Sequence, residues 1–205
     1  MTNIQLVRNP WISMWTRPRQ TVQSIVETNA EHSVLLLAAL AGISQALDKA
    51  SIKNAGDTLP LPLILGTAIG GVVSGIIGLY LFGFLVRHAA SWLGGTANAE
   101  ATRAAIAWSN VPIVWALLLW IPQLAMFGKE LFSADTPRME SHPFIVLGFG
   151  LADISVGIWA LIILFKAIGQ VSGFSAWRGL GACCIAVALI ILPIIAIALA
   201  AGAFK

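Results

Sequence analysis

Charge is what this sequence has least of. Twelve Lys and Arg and nine Asp and Glu make up 10% of its 205 residues, against about a quarter in an ordinary soluble domain. A net charge of +3 scattered along the chain builds no basic stripe for a polyanion, which excludes a nucleic-acid-handling polypeptide and, with so apolar a composition, a disordered one. Histidine is scarce too: His32, His88 and His142 fall at three different segment ends, with no second ligand at metal spacing, so no metal site is expected. The two cysteines, Cys183 and Cys184, are neighbours, which seldom form a disulfide. They read as small packing residues, with lipidation or redox chemistry as the alternative. A nucleophile elbow, a phosphate-binding glycine loop and paired carboxylates are all missing, so neither enzyme chemistry nor a cofactor is expected.

What fills the chain instead is apolar, 58% of all residues. A hydrocarbon core about 30 Å thick takes roughly 20 helical residues. Runs that meet this need cover 32–47, the shortest, then 58–86, 104–128, 141–165 and 179–204. None alternates as a barrel strand does, and backbone amides in lipid must be paired within their own segment, so all five are expected to be helices. The expected fold is therefore an all-α polytopic membrane protein with spans at about 32–50, 61–86, 104–127, 144–165 and 182–204. Residues 1–31 form a separate cytosolic or interfacial segment ahead of a membrane domain over 32–205.

Arg8, Arg17 and Arg19 precede any long apolar run, so no removable signal peptide is expected. Five spans put the termini on opposite faces. One face carries Arg8, Arg17, Arg19, Arg87, Arg103, Lys166 and Arg178 with three acids, and the other Lys49, Lys53, Lys129, Arg138 and Lys205 with five. The richer face is expected to be cytoplasmic, with the N-terminus inside and the C-terminus outside. Trp11, Ile12, Met14 and Trp15, interleaved with polar residues, suit an amphipathic helix lying in the headgroup region. Pro18 suits the first turn of a second short helix, whose Val22, Ile25 and Val26 share a face. Both helices can serve partner binding or simply pack on the bundle.

Asp153 is the one formal charge well inside a run, where a carboxylate costs about 2.5 to 3.5 kcal/mol, so it is expected to face protein. Gly150, Gly157 and Ala160 share its helix face. It reads either as a proton or cation site or as a hydrogen-bonded link to Asn110, Gln45 or Ser44. Gly66, Gly70, Gly71, Gly75 and Gly78 form overlapping small-residue ladders that predict close helix packing, within the chain or between copies. Pro112, Pro122 and Pro193 interrupt two spans, as kinks or as places where freed carbonyls bind ions.

Several stretches together carry a family likeness: Trp15-Thr16-Arg17-Pro18-Arg19 with Thr21 and Ile25, residues 38–42, Trp108-Ser109-Asn110-Val111-Pro112, and Trp159, Gly169, Gly173-Phe174-Ser175 and Trp177. Over nearly its whole length the chain resembles the Yip domain family, five-span proteins named for eukaryotic members that interact with Rab-type GTPases in early secretory membranes. Of the eukaryotic Asp-Leu-Tyr-Gly-Pro motif only the proline has a counterpart, Pro18, and the sole tyrosine is Tyr80 in the second span. The short N-terminal region is similar to the bacterial branch, which implies the cytoplasmic (inner) membrane. The resemblance implies a non-enzymatic scaffold or adaptor in membrane organisation or trafficking. Its belt of Trp11, Trp15, Arg17, Pro18, Arg19, Gly173, Phe174, Trp177 and Arg178 would meet protein partners or membrane lipids on the cytosolic side. The competing reading is a small ion or solute transporter or channel subunit built on Asp153 and Asn110. Five helices leave little room for a pore, so that reading calls for a homo-oligomer.

Overall fold

Every regular element among the described residues, 9–200, is helical in the computed structural model. Arg8 and Lys205, both counted in the topology, and positions 201–204 of the fifth expected span lie outside the described residues. Five helical stretches are long and apolar enough to cross a membrane: Val34–Ile52, Leu61–Trp92, Ala99–Phe132, Pro143–Val171 and Ala176–Ala200. The chain is a multi-pass integral membrane protein.

Two short helices precede the spans. The Asn9 side chain accepts the Trp11 N–H at 3.1 Å and caps α1 (Pro10–Thr16), which ends where the Arg17 N–H returns to the Ser13 carbonyl. Pro18 then opens α2 (Pro18–Asn29) from the first turn, where its missing N–H leaves no orphan. The α1–α2 elbow is held by Thr21, whose hydroxyl donates to the Arg17 carbonyl at 2.8 Å and lies 3.0 Å from the Ser13 hydroxyl.

Ser33, in the left-handed region at φ 56, turns the chain into the first span, α3 (Val34–Ile52). The second span, α4 (Leu61–Trp92), has 32 residues and so is about 48 Å long, well beyond the hydrocarbon thickness. α3 and α4 touch backbone to backbone. A Cβ on Gly42 would collide with the Gly71 carbonyl and come within 2.8 Å of the Gly75 Cα, and one on Gly71 would meet the Ala46 Cβ at 2.8 Å. The close approach is thus a three-glycine contact. Gly66, Gly70 and Gly78 meet no atom of this chain within 4 Å, so within the chain only the Gly71 and Gly75 ladder is packed. One helix has one closely packed stripe here, and these three glycines lie off the contact.

The third crossing is not one continuous helix. α5 (Ala99–Ser109) stops at Asn110, α6 (Val111–Ala116) follows, and a 3-10 turn at Leu117–Leu119 leads into α7 (Trp120–Phe127). Pro112 lies in the opening turn of α6 and Pro122 in that of α7, positions that ask for no N–H, so both prolines begin helices instead of kinking one. After the short α8 (Pro137–Ser141), α9 (Pro143–Val171) and α10 (Ala176–Ala200) complete the bundle, with Pro193 inside α10. Gly169 and Gly179 let α9 and α10 meet: a Cβ on Gly179 would strike the Phe165 carbonyl and lie 3.1 Å from the Gly169 amide.

The main core gathers Met14, Val22 and Ile25 from α1 and α2 with Leu37, Val86, residues 104–108 of α5, Ile163 and Ile168 of α9 and Ala182 of α10. The N-terminal helices therefore share one core with the spans. A much smaller cluster of Leu47, Ala50, Ile64 and Phe132 closes the opposite end.

Candidate functional site

The expected cytosolic belt is split by the fold. On one side, α1 is fastened to the bundle by its tryptophans. Trp11 meets the fully buried Trp108 edge-on with ring centroids 5.7 Å apart, and Trp108 in turn donates its indole N–H to the His32 carbonyl at 3.2 Å. Trp159 on α9 donates to the Trp15 carbonyl at 3.1 Å. Trp11 and Trp15 are therefore half-buried, Pro18 is buried, and Arg17, Arg19 and Ile12 are what α1 and α2 present outward.

The second part of the belt sits where α4 ends and α10 begins. Trp177 is 79% exposed beside the exposed Arg178, and Trp92, which the sequence reading passed over, is 65% exposed at the end of α4. This junction is built by the turn after α9: Gly173 takes φ 76, the Phe174 N–H returns to the Gly169 carbonyl at 2.9 Å, and the Thr96 N–H pairs with the Ser172 carbonyl at 3.2 Å. α9 packs against both α2 and α10, while α10 makes its main contacts with α4 and α9. The belt thus forms two patches, Ile12, Arg17 and Arg19 on one, Trp92, Trp177 and Arg178 on the other.

Around Asp153 the neighbours differ from those expected. The Asn110 side-chain amide donates to the Ile106 carbonyl of its own turn at 3.0 Å, Gln45 is exposed and Ser44 is buried. Asp153 itself is exposed on α9, and the Gly150 and Gly157 beside it touch no other helix, which corrects the expectation that this face is packed. The side chains that bear on the Asp153 carboxyl are those of Gln123, a buried residue of α7, and Asp48 of α3, near enough for the two carboxylates to feel each other's charge. Asp48 was readable only as a charge at the end of the shortest run. Two acids and an amide drawn from three spans can hold a proton or a small cation between them, and nothing in the group resembles a nucleophile with its base. Among the described residues, no three His, Cys, Asp or Glu side chains cluster as metal ligands.

With this geometry in view, the comparison with protein families is specific: the model of the Yip1 domain matches residues 12–198, from the exposed Ile12 of α1 to near the end of α10. No curated protein and no solved structure matches the chain.

Proposed function

The chain belongs to the Yip1 domain family, and from that premise we propose that it is a non-enzymatic scaffold or adaptor that organises membranes or their traffic through the face carrying α1 and α2. One observation carries this reading: the α1–α2 elbow is braced internally by Thr21 and fastened to the bundle through Trp11 and Trp15, so that Arg17 and Arg19 project from a fixed platform and not from a loose tail. Each cation near an anionic leaflet contributes about 1 kcal/mol, enough to orient such a platform and leave selectivity to its shape. The proposed setting is the cytoplasmic membrane of a bacterium, with the N-terminus inside. The excess of basic residues on the α1–α2 face and the missing Asp-Leu-Tyr-Gly-Pro motif support it. Because both arginines are exposed, Arg17→Ala with Arg19→Ala leaves the core intact. Cross-linking in native membranes should then recover protein partners several-fold less well, and unchanged recovery would remove the platform from the account.

A second reading is favoured by the approach of Asp48 to Asp153 beside Gln123. In it the protein is a small ion or solute transporter or channel subunit, with homo-oligomers supplying the walls that five helices lack. Asp153→Asn in proteoliposomes should abolish a proton or cation flux at unchanged expression. A wild-type protein that passes neither ion ends this reading.

A further inference from the structure

We infer that the α1–α2 face holds a binding site for the zwitterionic headgroup of an aminophospholipid, in the cleft between the start of α3, the second half of α4 and the start of α5. The cleft, about 80 Å³, is lined by Glu31, Val34, Leu35, Tyr80, Glu100 and Arg103. That is room for several water-sized groups, a compact polar head and not a whole lipid.

The cleft is built around one guanidinium. Gly83 gives passage to the Arg103 stem, since a Cβ there would lie 3.3 Å from Arg103 Cγ. The guanidinium then lies over the Tyr80 ring at 5.0 Å and reaches Glu31 at 3.5 Å, with the Arg103 side chain only 19% exposed. A guanidinium fixed on two sides in this way keeps N–H groups free for a phosphate. Glu31 and Glu100 are exposed and can take an ammonium. The level is right for a headgroup: Glu31 stands one turn before the span, whereas Leu35, half-exposed on α3, already belongs to the apolar surface along which acyl chains would leave.

Charge chooses among lipids. Two carboxylates and one guanidinium give the lining a net of −1, which repels a headgroup carrying phosphate alone and accepts one whose ammonium accompanies its phosphate. A quaternary ammonium binds best over an aromatic face, but Arg103 already occupies Tyr80. A primary ammonium donates hydrogen bonds to Glu31 and Glu100, so phosphatidylethanolamine fits and phosphatidylcholine does not. These residues are distinct from the arginine platform, and the inference stands or falls apart from any protein partner.

The test is native mass spectrometry of the full chain offered phosphatidylethanolamine, phosphatidylcholine and phosphatidylglycerol with identical acyl chains. Wild type should retain the ethanolamine lipid about tenfold better than the other two, the margin of one charge-assisted contact. Glu31→Gln with Glu100→Gln should erase that margin and raise retention of phosphatidylglycerol. Glu100→Gln alone, outside the Arg103 pair, should reduce the margin with the thermal midpoint unchanged. Equal retention of the three lipids by wild type overturns the inference, and so does a margin that survives the double substitution. Displacement of the lipid by equimolar soluble phosphoethanolamine would overturn the lipid as occupant.

Discussion

The two ends of the bundle are made of the same kinds of residue and packed by different rules. At the α1–α2 end every residue from Ala104 to Ser109 is buried, and Met14, Leu37, Trp108 and Ile168 are sealed from solvent and lipid alike. At the other end Phe144, Leu147, Leu151 and Ile154 of α9 and Ile191, Leu192 and Ile194 of α10 stand exposed. In lipid no hydrophobic force draws one apolar helix to another, so helices stay together only where small residues allow contact or polar groups bond. The first end has both, in the alanines of α5 and the tryptophan–carbonyl bonds. Along α9 before Trp159 the second has no such contact from its small residues, since Gly148, Gly150 and Gly157 meet no neighbouring atom within 4 Å, and its large side chains are left to acyl chains. A rigid platform and a pliant, lipid-wetted half are the consequence.

The largest expected break in this contrast is Trp108→Ala, which removes the residue on which α1, the α2–α3 turn and α5 converge. It should cost about 3 to 5 kcal/mol in an SDS-titration unfolding assay. A loss under about 1 kcal/mol would mean that the platform is not the stable half. Next, Gly42→Ala should cost about 1 to 3 kcal/mol by forcing α3 from α4, while Gly66→Ala, which meets open space, should change stability by less than about 0.5 kcal/mol. Equal costs for the two would indicate that another copy covers the outer stripe of α4. The smallest effect belongs to the open half: Ile154→Ala should stay within about 0.5 kcal/mol, and a larger loss would show that α9 is packed there after all.

The spans were legible in the sequence because the demand of a bilayer is local. A run must be long, apolar and internally bonded, and each property can be counted along the chain. Partners were less so. Gly71 and Gly75 stood out as a ladder, but nothing in a ladder names Gly42 as the opposing surface or tells Gly66 and Gly70 that they face away. The cost of a carboxylate inside a span announced a need for company at Asp153, and where Asn110, Gln45 and Ser44 were expected, Gln123 and Asp48 stand near it from segments 30 and more than 100 residues away. The first residues of α5, 99–103, fell outside the expected third span because that helix is covered by α9, α4, α2 and α3 and not by lipid. Trp15, read as an interfacial anchor, is tied down by Trp159, a bond 144 residues long in sequence that no spacing could reveal.

The glycine contact between α3 and α4 also sets an order of events during synthesis. α3 is the least hydropathic of the five spans and carries Gln45, Asp48 and Lys49 in its second half, so alone it gains little by leaving the translocation channel for lipid. α4 is long and strongly apolar, and its Gly71 and Gly75 accept the α3 backbone directly. The two are therefore expected to enter the bilayer together, as a helical hairpin. A bulky side chain at Gly71 would then be read by the cell as a failed insertion of the helix before it.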